Sequence, residues 1–139
     1  MKKQRRTQIN LILTIFGDNF DTENLSTVIG LQPVEAWQKG EPIKGNPLGL
    51  QRPETAWTYE LGFHQTLFLN EVTDVFFHRF DSRKELIAKI LIQGKLECKI
   101  YVVIEIYEKS LPAIFLDKKF VALANALNAE IDMDLYDFR

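Results

Sequence analysis

Residues 95–107 read KLECKIYVVIEIY, and the period of this stretch decides the fold. Leu96, Cys98, Ile100, Val102, Ile104 and Ile106 fall on one side of a two-residue repeat. Lys95, Glu97, Lys99, Tyr101, Glu105 and Tyr107 fall on the other. Successive side chains of a strand point to opposite faces, so the stretch predicts a strand with one buried and one wet face. Such alternation is typical of antiparallel sheets, whereas a strand covered on both faces reads as an unbroken apolar run.

Outward from this strand, Val72, Val75, Phe76 and Phe80 keep helical spacing, and Leu86, Ile87, Ile90 and Leu91 continue the stripe. A helical region over residues 69–93 follows. Ser82-Arg83-Lys84-Glu85 has the form of a capping box and predicts a break near Asp81, and Gly94 ends the helix. Downstream, Pro112 leads into a short strand over 113–116. Asp117 caps a helix carrying Phe120, Val121, Leu123, Ala124 and Leu127, and a last strand sets Ile131, Met133 and Leu135 against Asp132, Asp134 and Tyr136.

Towards the N-terminus, Ile9, Leu11, Leu13 and Ile15 alternate with Gln8, Asn10 and Thr14. Ile12 and Phe16 break the polarity of the second face, which predicts partial cover by helices. Asp21 caps a helix with Leu25, Val28 and Ile29 on its apolar stripe, and Gly30 supplies the permissive end. Extended segments around 36–39 and 55–63 flank residues 40–54, where three glycines and three prolines mark a loop. The two tryptophan-bearing strands then form a long-looped hairpin. The order is βαββα-ββαβ: an α+β fold, ferredoxin-like in part, with four to six strands and helices on one face. The sheet is antiparallel in this reading, with a mixed sheet as the alternative. Strand–Asp cap–helix–strand units near both ends give a weak internal pseudo-repeat.

A chain of 139 residues fits one domain, here residues 8–139 behind a basic, frayed stretch over 1–7. One cysteine, Cys98, excludes an internal disulfide framework and fits a reducing compartment. No apolar run reaches the roughly 20 residues of a membrane span. Asn10 and Thr14 interrupt the N-terminal apolar stretch, so it reads as a strand and not a signal peptide. These features predict a cytoplasmic protein without membrane contact. Lys2, Lys3, Arg5 and Arg6 stand ahead of a body with 13 basic and 19 acidic residues. That acidity opposes nucleic-acid binding.

Two constellations carry candidate chemistry. Trp37, Lys39, Trp57 and Tyr59, with Arg52 at the end of the glycine–proline loop, would hold a planar ligand or a partner side chain by stacking and cation–π contact. The competing reading makes both tryptophans core residues under the loop. Asp132 and Asp134 share one strand face and form a weaker metal or acid–base candidate. An exposed edge strand kept from pairing by its charges explains them more simply. His64 and His78 lack zinc spacing, Cys98 faces inward, and no nucleophile elbow, phosphate loop or dinucleotide fingerprint occurs. No cofactor is predicted.

In order along the chain stand Gly17-Asp18, Phe20-Asp21, Gly30-Leu31, Pro33, Trp37-Gln38-Lys39-Gly40, Trp57, Phe115-Leu116 and the run from Ile131 to Tyr136. With these the sequence resembles the bacterial family called domain of unknown function 4279 over nearly its whole length. The resemblance implies an intracellular α+β domain and brings no catalytic residues. The leading expectation is a non-enzymatic module binding a protein partner or small ligand at the Trp37/Trp57 surface, with an immunity-type protein as one form. The alternatives are a small hydrolase-like or metal-assisted enzyme using Asp132, Asp134 and Lys39, and a homodimer formed through Tyr101, Val103 and Tyr107.

Overall fold

A computed structural model describes residues 4–139. Six strands form one sheet: β1 (Gln8–Gly17), β2 (Glu35–Trp37), β3 (Thr55–Glu60), β4 (His64–Gln65), β5 (Glu97–Tyr107) and β6 (Glu130–Phe138). Among the described residues four helices accompany it: α1 (Thr22–Ile29), α2 (Leu69–Phe80), α3 (Lys84–Gly94) and α4 (Lys118–Ala126). The main path runs β2-β3-β1-β5-β6, and β4 pairs with β1 beyond the end of β3.

The stretch that decides the fold occupies the interior of this sheet. β5 is antiparallel to β1, with Leu11 opposite Val102 and Leu13 opposite Ile100. These residues join Ile9, Ile15, Cys98 and Ile104 in a core capped by Leu69, Val72, Phe76 and Phe80 of α2 and by Phe120 and Leu123 of α4. The apolar residues of all four helices pack into this one core, so the helices cover one face and leave the other bare. The sheet is mixed: β5 and β6 run parallel, with Ile100 opposite Ile131 and Tyr101 opposite Asp132. A parallel pair needs a crossover, and α4 supplies it.

Both aspartate caps form. Asp21 Oδ1 accepts from Asn24 N–H and Asp117 Oδ1 from Phe120 N–H, each at 3.0 Å. The chain breaks at Asp81 as expected, but through a 3-10 turn (Asp81–Arg83), and no side-chain cap bond forms at the start of α3. Backbone continuity through the turn replaces the capping box.

Three further expectations are corrected. Residues 113–116 make no strand: only Ala113 bridges, to Phe68. Pro112 has no N–H to give, and Asp117 must turn the chain into α4. The C-terminal strand–helix–strand unit therefore starts from β5. Among the described residues no helix covers Ile12 and Phe16; they lie half-buried on the bare face, shielded within the sheet by neighbours such as Tyr101 and Ala56. Finally, Thr7 is anchored: its hydroxyl donates to Ser110 C=O at 2.7 Å and accepts from Tyr107 N–H at 3.2 Å. Of the basic stretch expected to fray, residues 1–3 lie outside the described residues. Among the described residues no helix is long and apolar enough to cross a membrane.

Candidate functional site

Pairing fixes where each candidate side chain points. Ala36 lies opposite Trp57 in the hairpin and Trp37 opposite Ala56, so the two tryptophans occupy opposite faces of the sheet. Trp57 faces the helices and is 0% exposed. Its indole N–H donates to Ser26 Oγ at 2.9 Å, tying α1 to β3. Tyr59 is buried beside it: its ring meets Phe80 edge-on at 5.3 Å, and its hydroxyl accepts from Arg79. A ligand reaches neither residue without opening the core. The expected Trp37/Trp57 surface therefore does not assemble.

Trp37 lies on the bare face at the β2 edge. The Arg52 guanidinium stacks 3.8 Å above its ring, and Arg52 Nη2 stands 3.9 Å from Glu35 Oε1. Lys39 follows in chain order but serves a local knot. Its N–H donates to Thr55 Oγ1 at 3.0 Å, that hydroxyl donates to Asp18 C=O at 3.2 Å, and Lys39 Nζ pairs with the Asp18 carboxylate. The knot binds the end of β1, the exit of β2 and the start of β3. It thus gives a structural task to Asp18 and Lys39, two of the residues that carry the family resemblance.

Asp132 and Asp134 project from β6 onto the bare face. Lys99 Nζ is 3.3 Å from Asp132 Oδ2, and this hydrogen bond, reinforced by the nearby Tyr101, raises the lysine pKa. β2 and β6 are the two edges of the path, about 19 Å apart at the usual strand spacing. Lys39 therefore cannot converge with Asp132 and Asp134 on one substrate. Among the described residues no three His, Cys, Asp or Glu side chains come together as a metal-ligand group. His64 Nδ1 lies 3.0 Å from Gly62 C=O, and His78 lies 3.6 Å from Asp74. Burial pushes the Cys98 thiol up to about 12, so it stays protonated and is a poor nucleophile at neutral pH.

The bare face itself carries a more continuous arrangement. Ile12 and Tyr101 sit side by side at its centre, next to Val103. At one corner Tyr107 and Phe138 stack at 5.1 Å and 15°, Tyr136 stacks on Phe138 at 6.3 Å, and the Arg5 guanidinium lies 5.7 Å from the Tyr107 ring. Glu105 accepts from Gln8 Nε2 at 2.6 Å and from the Tyr107 hydroxyl at 3.3 Å. Glu60 accepts from Asn10 Nδ2 at 2.7 Å. These carboxylates are held by neutral donors; among the described residues no Lys or Arg pairs with Glu60, Glu105 or Asp134. A shallow depression of about 790 Å³ lies at this corner, lined by Arg5, Gln8, Gln65, Glu105 and Tyr107 among others. The sequence pattern places Glu105, Tyr101 and Tyr107 on this face. It does not announce Gln8 and Asn10 as carboxylate holders, because their partners lie 97 and 50 residues away.

The molecule is thus an α+β domain with one sheet face packed under helices and one left bare. Residues 7–138 match the family described as Domain of unknown function (DUF4279), and the chain belongs to that family. No curated protein and no solved structure matches the chain.

Proposed function

We propose that this domain is a non-enzymatic binding module that takes a protein partner across the bare face of its sheet. Its rim is the Trp37–Arg52 corner with the loop over residues 40–54. The observation that carries this reading is the joint placement of Trp37, Tyr101, Tyr107, Tyr136 and Phe138 on a face that no helix covers. Aromatic rings supply contact area at low entropic cost, and here they stand as a cluster of Tyr107, Tyr136 and Phe138 at one corner, Tyr101 near the centre and Trp37 at the opposite edge of one open face. The concrete form of this reading is a cytoplasmic, immunity-type protein that neutralises another protein by covering it.

Affinity capture with three chains tests the proposal. A Trp37→Ala/Tyr101→Ala variant with unchanged circular dichroism loses the partners retained by the wild type. A Val75→Ala/Ile92→Ala variant, altered on exposed helical positions, keeps them. Equal retention by both variants contradicts the proposal.

A further inference from the structure

Charge is divided unequally between the two sides of the sheet. By register, β5 and β6 place Glu97, Glu105, Glu130, Asp132 and Asp134 on the bare face, and β2 and β3 add Glu35 and Glu60. Among the described residues Lys99 is the single basic strand residue on that face, with Arg52 over Trp37 and Arg5 over Tyr107 at its rim and Arg6 lining the corner depression beside Glu105. The four helices and the Asp81–Arg83 turn carry five carboxylates and six Lys or Arg side chains, close to neutrality. The acidity of the chain is therefore concentrated on the face that carries the exposed rings.

We infer that the partner is a protein presenting a Lys/Arg-rich contact surface to this face. The inference rests on the binding reading above and specifies the chemistry of the occupant. Three observations favour it over a second copy of the chain. Two copies packed face to face would oppose like charges, which costs affinity. Glu60 and Glu105 are held in place by Asn10, Gln8 and Tyr107, so cations meet ordered acceptors. The rings of Tyr101, Tyr107 and Trp37 carry Lys99, Arg5 and Arg52 within the chain, so this face already accommodates cations against aromatic rings, the contact a basic partner would extend to Tyr136 and Phe138. The size is also suitable. Five strands spaced about 4.8 Å apart and an eleven-residue β5 span on the order of 600 Å² before the rim is added. A partner in a standard interface buries about 800 Å².

The test is a titration of the isotope-labelled full chain with lysozyme, a folded basic probe protein, followed by amide chemical shifts at low ionic strength. Saturable shifts should centre on β1, β5 and β6, with affinity falling as salt rises. Glu105→Gln/Asp134→Asn keeps the side-chain shapes and should weaken binding roughly three- to tenfold. Glu23→Gln/Glu85→Gln, on α1 and α3, should leave it unchanged. Absence of saturable shifts, shifts centred on the helices, or equal weakening by both pairs overturns the inference. Concentration-dependent dimerisation abolished by Tyr101→Arg would replace the basic partner with a second copy. If capture still depends on Trp37 and Tyr101 while lysozyme fails to bind, the binding face stands and the basic partner falls. If lysozyme binds the bare face but capture is indifferent to those residues, the proposed function falls and the inference with it.

Discussion

Trp57 and Trp37 are the same residue type on neighbouring strands of one hairpin, yet they belong to different parts of the molecule. Trp57 is fully buried on the helix-covered face, with its indole N–H bonded to Ser26 of α1. Trp37 lies half-buried on the bare face, with the Arg52 guanidinium 3.8 Å from the centre of its ring. The difference follows from a register in which Trp37 faces Ala56, the residue before Trp57. Composition alone groups the two indoles into a single site; pleat parity separates them into a core residue and a half-buried residue of the bare face. The same parity divides the whole sheet, with the apolar core, Trp57 and Tyr59 included, under the helices and most of the strand carboxylates outside.

The largest effect that sharpens this comparison is on stability. Trp57→Ala should cost about 3–5 kcal/mol in denaturant unfolding, as expected for truncating a fully buried aromatic side chain. A loss under 1 kcal/mol would place Trp57 outside the core. Next comes Cys98, whose thiol is neutral in the folded chain up to about pH 12 but ionises near its ordinary value of 9.0 once unfolded. The unfolded state then binds fewer protons, so stability should fall with rising pH between about 9 and 12 by roughly 1.4 kcal/mol per unit. Cys98→Ala should remove that part of the slope relative to wild type, and an unchanged slope would show the thiol to be accessible. Ser26→Ala leaves the Trp57 indole N–H buried without an acceptor and should cost about 1–3 kcal/mol. On the exposed side, Trp37→Ala loses a half-buried ring and the Arg52 stack, about 1 kcal/mol. A Trp37→Ala cost as large as that of Trp57→Ala would erase the distinction between the faces.

Local pattern made much of this fold legible. The alternation over residues 95–107, the caps at Asp21 and Asp117 and the break near Asp81 depend on neighbours in sequence, and the structure contains each of them. The parallel pairing of β6 with β5 is not legible in the sequence, because periodicity does not encode strand direction. β4 has only two residues, too few for any period, and the single bridge at Ala113 depends on Phe68 across the fold. The candidate site was legible only in part. Trp37 and Arg52 do meet, and Tyr101 and Tyr107 do share a face with Asp132 and Asp134. The unequal charge of the two faces emerges only once β2, β3, β5 and β6 are laid side by side, since the acidic residues involved span Glu35 to Asp134.

Site-specific photo-cross-linking in cells tests the division between a structural and a binding face most directly. One chain carries a photoreactive residue at Tyr101, at the centre of the bare face. A control chain carries it at Ile92, which is 79% exposed on α3. Discrete adducts are expected from position 101, with peptides rich in Lys and Arg at the cross-linked site, and none from position 92. Adducts from position 92 alone, equal adducts from both, or none from either would contradict that division.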